Sequence, residues 1–383
     1  MRRRRLLSAF VVLGAILLAD VPASLVVLHI SRLRVERATL RAQAAQEPYR
    51  DTEWGTAYWR EITRYSERWD PHVVYRVGEM RGRFINVEHG VRRTYKPPAV
   101  PGRPRRLIFF FGGSAAWGHG ARDFETLPSW LARVGEEHGV SLEVRNYAES
   151  GWVNWQGIAY LLDKLAAGER PDTVIFLSGV NETLGARQWP EVRRPIWDAE
   201  LYVSAMSEAV QQRSRPLLRA WTYYRNTSLI WSTLLPLPAY IAPSAQTSLE
   251  AVTRRVSSDY LSDKAMVEAL GREFGFSTLF VWQPIVADKA ELSAQERRYA
   301  GWLPPSPDTT PALSWWSLPR DLRATYEAVG HAVKSRGVVD LAGAFDGVSA
   351  TAFIDWMHPS ELGNEWIARA LYERLPAARW PGQ

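Results

Sequence analysis

The sequence predicts an α/β fold, a parallel five-stranded sheet with helices on both faces, joined to an N-terminal transmembrane helix. Three observations carry this. Short apolar runs alternate with stretches of helical periodicity from Arg106 to the C-terminus, several runs lead into loops rich in glycine and polar residues, and an arginine cluster opens the chain ahead of an apolar segment.

The N-terminal segment comes first. Arg2 to Arg5 precede an apolar run from Leu6 to Ala19; Asp20 and Pro22 interrupt it, and Leu25 to Ile30 resume it. A helix over Leu6 to Ile30 is roughly 37 Å long, enough to cross a bilayer. A cleavable signal peptide is the competing reading, with Val21 and Ala23 suitably placed for cleavage before Ser24. We expect an uncleaved signal anchor over residues 1–40, because the apolar stretch continues past that point. Arg32, Arg34, Arg37 and Arg41 nearly balance the leading cluster, so charge alone does not orient the segment. Both readings are export signals, and the rest of the chain is expected outside the cytoplasm. Asp20 either faces a partner helix or, the plainer expectation, reaches back to the membrane interface.

Residues 41–105 read as a stalk and a small N-terminal subdomain, closed by Pro97, Pro98, Pro101 and Pro104. The catalytic region is expected over 106–383. Its strands are read at Leu107 to Phe111, Leu142 to Ala148, Thr173 to Leu177, Thr278 to Trp282 and Val338 to Ala342. Helices are read at Phe124 to Val134, Gln156 to Ala167, Leu261 to Phe274, Leu322 to Val333 and Glu361 to Leu375. Two inserts, about 185–255 and 285–317, break the alternation; each is either a lid or substrate wall, or a packed excursion. Leu229 to Ile241 in the first is apolar, but too short and too interrupted by Pro236 and Pro238 for a second span.

Composition narrows the chemistry. Lys+Arg 47 against Asp+Glu 41 gives +6, yet without Arg2 to Arg5 the balance is only +2. Five of the 47 are lysine and no basic tract is interleaved with aromatics, so no nucleic-acid partner is expected. With no cysteine, thiol nucleophiles, disulfides and metal–thiolate sites are excluded. No cofactor and no metal are expected. The 18 tryptophans suggest an aromatic core, stacking surfaces for a ring-shaped ligand, or both.

In α/β sheets of this kind, ligand chemistry gathers at the carboxyl ends of the strands. There the sequence places Ser114, Gly151, Asn181 and, near the C-terminus, Asp355 and His358. A serine hydroxyl becomes a nucleophile when a base takes its proton and a third group orients that base. His358 is the natural base, and Asp355, three residues earlier, can hold its far ring nitrogen. Backbone N–H groups of Ser114 and Gly151 and the side-chain amide of Asn181 can form an oxyanion hole. Competing readings exist. Ser114 can merely cap a helix, His119 is the nearby alternative base, and Glu149 or Glu182 can replace Asp355. Trp117, Trp152, Trp155 and Trp356 flank these positions; Trp117, Trp152 and Trp356 are the candidate substrate-stacking residues.

The blocks Phe111-Gly112-Gly113-Ser114-Ala115-Ala116-Trp117-Gly118, Asn146-Tyr147-Ala148-Glu149-Ser150-Gly151, Ser178-Gly179-Val180-Asn181-Glu182 and Asp355-Trp356-Met357-His358-Pro359 resemble the four signature blocks of the SGNH/GDSL hydrolases. The resemblance covers roughly Arg106 to the C-terminus outside the inserts. It implies a flavodoxin-like three-layer α/β/α sandwich of strand order 2-1-3-4-5, and acyl-ester hydrolysis or transfer through a serine acyl-enzyme without metal. It assigns the nucleophile to Ser114, oxyanion donors to Gly151 and Asn181, and base and acid to His358 and Asp355. Two positions depart: Gly113 stands where the family has aspartate, and Glu182 where aspartate is usual. The alpha/beta-hydrolase elbow is excluded, since it needs glycine where this chain has Ala116.

The expected partner is an acylated carbohydrate at the cell surface, losing a small acyl group such as acetyl. Transfer to an acceptor hydroxyl, hydrolysis of a lipid ester, and a non-catalytic scaffold or glycan-binding role are the alternatives.

Overall fold

The computed structural model describes residues 2–98, 105–188, 224, 228, 248–301 and 320–376. The chain divides into two compact units, Met1–Arg41 with Glu200–Ser244, and Ala42–Ala199 with Ala245–Gln383.

In the first unit residues 2–41 are helical, part of a continuous helix Arg2–Ala44 that includes Pro22. Among the described residues no helix is long and apolar enough to cross a membrane. Most side chains of Leu6 to Ala19, on which the expected span rests, lie outside the described residues, as does Leu229 to Ile241. The expected transmembrane helix therefore gains a helical backbone and nothing more. Asp20 departs from the expectation that it reaches an interface. It is buried and accepts hydrogen bonds from the hydroxyls of Ser24, at 3.1 Å, and Ser228. A buried carboxylate needs such donors.

The second unit is built on an eight-stranded mixed sheet. The described strands of this unit are β1 (Glu67–Asp70), β2 (Val74–Val77), β3 (Met80–Arg81), β4 (Asn86–Glu88), β5 (Val91–Arg92), β6 (Arg105–Gly112), β7 (Ser141–Asn146), β8 (Thr173–Ser178), β9 (Ser277–Trp282) and β10 (Val339–Asp340). β1 and β2 form a separate antiparallel hairpin, and the sheet runs β10-β9-β8-β6-β7-β5-β4-β3. The five parallel strands β6 to β10 thus stand in the order 2-1-3-4-5. β6 and β8 are buried along most of their length, as strands covered on both faces must be. Tyr147, just past the end of β7, stacks on Phe111; Phe111, Phe176 and Phe280 continue the stack across β6, β8 and β9, with neighbouring ring centroids 4.8–5.6 Å apart.

Helices cover the sheet in two groups. Leu127–Glu137 packs on β7 and against Glu361–Tyr372; Leu249–Phe274 packs with Asn154–Ala166, Val180–Gln188 and Arg320–Lys334. Thr126, Ser248 and Ser360 cap three of these helices by accepting an N–H of the first turn.

The stretch read from sequence as a stalk and small subdomain is not separate from this sheet. β3, β4 and β5 extend it antiparallel beyond β7, Arg92 pairing with Asn146, while Tyr49, Tyr58 and Trp59 are fully buried. Two- and three-residue strands carry too little periodicity to be read in advance.

The described part of the second insert is a packed excursion. Ile285 and Val286 are buried, and Val286 N–H donates to Trp356 O at 3.0 Å. Behind it lies a wholly buried ion pair, Lys289 Nζ to Glu296 Oε2 at 2.6 Å. Lys289 also donates to Ala350 O, and Glu296 accepts from the N–H groups of Ser293, Ala352 and Phe353. The pair pins the chain entering Asp355. Replacing Lys289 with Met leaves the Glu296 charge uncompensated and is expected to cost about 3–5 kcal/mol in urea unfolding. The double variant Lys289→Met/Glu296→Gln should recover part of that loss.

Candidate active site

Ser114 follows β6 through two glycines. Gly112, at φ +151°, lies so close to β8 that a Cβ would stand 2.2 Å from Leu177 O. Gly113 is different. Its φ of −87° suits any residue, but a Cβ there would lie 2.3 Å from Asn181 Nδ2. A larger residue at position 113 would therefore have to move the Asn181 amide. Ser114 then opens a single helical turn, Ser114–Trp117, and its carbonyl accepts the N–H groups of Gly118 and His119.

Asp355 and His358 sit on a closed turn. Ile354 N–H donates to His358 O at 3.0 Å and Ser360 N–H to Ala352 O at 2.7 Å, so the chain folds back on itself between them. Asp355 Oδ1 accepts the N–H groups of Met357 and His358, at 2.8 and 2.7 Å, and Oδ2 lies 2.6 Å from His358 Nδ1. His358 Nε2 lies 2.6 Å from Ser114 Oγ. With Nδ1–H directed at the carboxylate, Nε2 is the acceptor of the serine proton. Asp355 and His358 are 3% and 4% exposed. Burial works against the charge on Asp355, but the adjacent His358 and the two N–H donors outweigh it and hold the carboxyl below its ordinary value.

His119 is near the chain of bonds but outside it. Its ring centroid lies 4.7 Å from that of His358 and 5.6 Å from that of Trp59. Loss of water around the ring, then the proximity of His358, pushes its pKa down to about 3. A ring that weakly basic is a poor proton acceptor at neutral pH.

Gly151 and Asn181 are drawn to the same edge. Glu149 N–H donates to Gly112 O at 3.1 Å, tying the loop after β7 to the end of β6. Asn181 Nδ2 donates to Trp152 O at 2.7 Å. Glu182, the second departure, accepts from Gly179 N–H at 2.6 Å and Asn154 N–H at 2.9 Å, clasping the end of β8 to the helix after Gly151. Neither Glu149 nor Glu182 bonds His358; the carboxylate that does is Asp355.

The expected stacking tryptophans fare otherwise. Trp117 and Trp152 are 1% exposed and Trp356 is 3% exposed, so none offers a ring face to a substrate. Trp117 is covered by the Arg92 guanidinium at 4.1 Å, and Trp152 Nε1 donates to Tyr75 O. Trp155 is half-buried beside Glu182 and Tyr260.

Sequence reasoning missed Arg92. Buried at the end of β5, it donates to the carbonyls of Trp117, Gly118 and Ala121 and lies 3.4 Å from Asp123, bracing the turn behind Ser114. Asn146 Nδ2 donates to the carbonyls of Ala116 and Trp117 from the other side. A lone arginine on a two-residue strand gives no sequence signal. Among the described residues no group of three or more His, Asp or Glu side chains could hold a metal ion.

No protein-family model and no curated protein matches the chain. Among solved structures, the acetyl xylan esterase AlAXEase is similar at 10% identity, covering 70% of this chain and 100% of that one, with a TM-score of 0.36. A lipase/acylhydrolase from Enterococcus faecalis is similar at 12% identity, covering 73% and 99%, with a TM-score of 0.36. TesA is similar at 15% identity, covering 70% and 98%, with a TM-score of 0.33.

Glu149 also has an electrostatic consequence. Burial pushes its carboxyl up to about 8, with the nearby Arg76 and the Val77 N–H only partly opposing this. An acid whose folded pKa exceeds its unfolded value binds more protons when folded, so stability is full below the ordinary value of 4.5 and is lost as pH rises towards 8. Glu149→Gln abolishes that loss. Thermal melts of the two proteins should diverge as pH rises across this window, the variant becoming the more stable.

Proposed function

We propose that the protein is a serine-dependent acyl-ester hydrolase of the SGNH/GDSL type. One observation carries the reading: the two 2.6 Å contacts that join Asp355, His358 and Ser114 in line. Ser114 Oγ attacks the ester carbonyl while its proton passes to His358 Nε2. Asp355 holds the Nδ1–H and stabilises the imidazolium. The negative charge that develops on the carbonyl oxygen is received by the N–H groups of Ser114 and Gly151 and by the Asn181 amide. One N–H of that amide already donates to Trp152 O, and the other is the one the hole would use. Collapse expels the alcohol, which takes the proton from His358. Water, deprotonated by the same ring, then releases the acid and regenerates Ser114.

The proposed substrate is an O-acetylated carbohydrate outside the cytoplasm, with the N-terminal segment as signal anchor. Support for the location is the arginine-led apolar segment Leu6 to Ile30. With Trp117, Trp152 and Trp356 buried, stacking no longer supports the carbohydrate, and that part of the proposal rests on the exported location alone.

Incubation with p-nitrophenyl acetate and a fluorophosphonate tests the chemistry. Turnover with adduct mass on Ser114 is expected; folded protein showing neither would sink the proposal. Ser114→Ala and His358→Ala should lower kcat by roughly three orders of magnitude or more, and Asp355→Ala by less, since it removes orientation rather than the proton acceptor. Gly113→Asp, which restores the family's residue, should also lower kcat, because its Cβ displaces the Asn181 amide.

A further inference from the structure

The hairpin β1–β2 precedes the region that resembles the family, and none of its residues belongs to the four blocks. Yet the loop that carries Gly151 is held by it. Val73, Tyr75 and Val77 follow the two-residue period of a strand and are all buried, so one side of the hairpin faces that loop. Main-chain groups of the same residues reach that loop and the helix after it: Val73 O accepts Gln156 Nε2 at 2.8 Å, Tyr75 O accepts Trp152 Nε1 at 3.0 Å, and Val77 N–H donates to Glu149 Oε2 at 3.2 Å.

The fourth bond is the informative one. Tyr75 Oη donates to Ser150 O at 3.0 Å. The Ser150 carbonyl and the Gly151 N–H are the two ends of one planar peptide unit, so fixing the first fixes the direction of the second. Gly151 sits at φ +74°, where the chain turns sharply and where a glycine-containing loop is otherwise free to let that peptide rotate. A hydrogen bond received by the carbonyl also polarises the amide and strengthens its N–H as a donor.

We infer that Tyr75 is a positioning residue for the oxyanion hole: its hydroxyl orients the Ser150–Gly151 peptide so that Gly151 N–H meets the developing oxyanion. This rests on the acyl-ester hydrolase reading above. The bond does its work when charge appears on the substrate oxygen, so its loss falls on kcat and leaves KM in place. A residue that only stabilised the fold would change neither once the protein is folded.

The test compares wild type with Tyr75→Phe on p-nitrophenyl acetate, with circular dichroism confirming the fold, and adds a boronic acid that forms a tetrahedral adduct on Ser114. The expected result is a fall in kcat of roughly 10- to 100-fold, KM within about twofold, and boronate affinity weakened in step with kcat. A folded Tyr75→Phe protein with kcat and boronate affinity unchanged overturns the inference. Should that variant not fold, 2,3-difluorotyrosine in place of Tyr75, which keeps the ring and alters the donor strength of its hydroxyl, is read in the same way: a change in kcat at constant KM supports the inference and unchanged kcat overturns it. Wild-type protein without turnover or fluorophosphonate adduct overturns the hydrolase reading and this inference together, and is told apart because the failure lies in the unmodified chain.

Discussion

A carboxylate with almost none of its surface in water stays charged only if its lone pairs are occupied, and Asp355 meets that condition through two backbone N–H groups and one imidazole nitrogen. All three donors come from the next three residues, which is possible only because the chain turns back between Ile354 and His358. The same turn aims the other face of the imidazole outward at Ser114. Around this, the structure supplies rigidity: Lys289 and Glu296 hold the incoming chain, and Ser360 caps the helix that leaves it. Asp355 and His358 are therefore set by backbone bonds, which leaves little side-chain freedom to lose in the proposed reaction.

The N-terminal third of the second unit has a use that its sequence conceals. β5 contributes Arg92, whose guanidinium binds three carbonyls of the turn after Ser114, and β2 contributes Tyr75, which binds the peptide ahead of Gly151. The Ser114 turn and the Gly151 loop are each braced from the same accessory segment, by charged or phenolic donors reaching main-chain oxygens. Carbonyls at loop ends have no strand or helix partner of their own, and a buried one costs stability unless a side chain satisfies it. That requirement explains why polar residues such as Arg92 are tolerated deep in the unit.

Glycine governs how near these pieces come. Gly112 lets β6 approach Leu177, and Gly113 lets the Asn181 amide lie against the residue before the nucleophile. At the second of these the backbone angles are ordinary, so space alone decides, and the aspartate of the resembled family would have to displace that amide. Glu182, one methylene longer than the usual aspartate, reaches both Gly179 and Asn154.

Much of this was legible in the residues themselves. Apolar runs alternating with helical periodicity placed the five parallel strands, because strands buried on both faces must be apolar throughout. The order of serine, glycine, asparagine and the Asp-x-x-His turn located the candidate site, and Ser114, His358 and Asp355 do meet there. What the sequence did not disclose depended on contacts between residues far apart in the chain. Strands of two or three residues acquire their hydrogen bonds from a sheet already formed, so β3 to β5 looked like a stalk. Tryptophans beside the blocks suggested stacking, but whether an indole faces a ligand or a guanidinium is decided by what packs over it, and Arg92 lies 25 residues before the Trp117 ring it covers. By itself the sequence determined the parallel strands and which polar groups gather at their ends; the tertiary structure alone decided which distant side chains hold them, because burial and hydrogen-bond satisfaction are properties of the assembled neighbourhood.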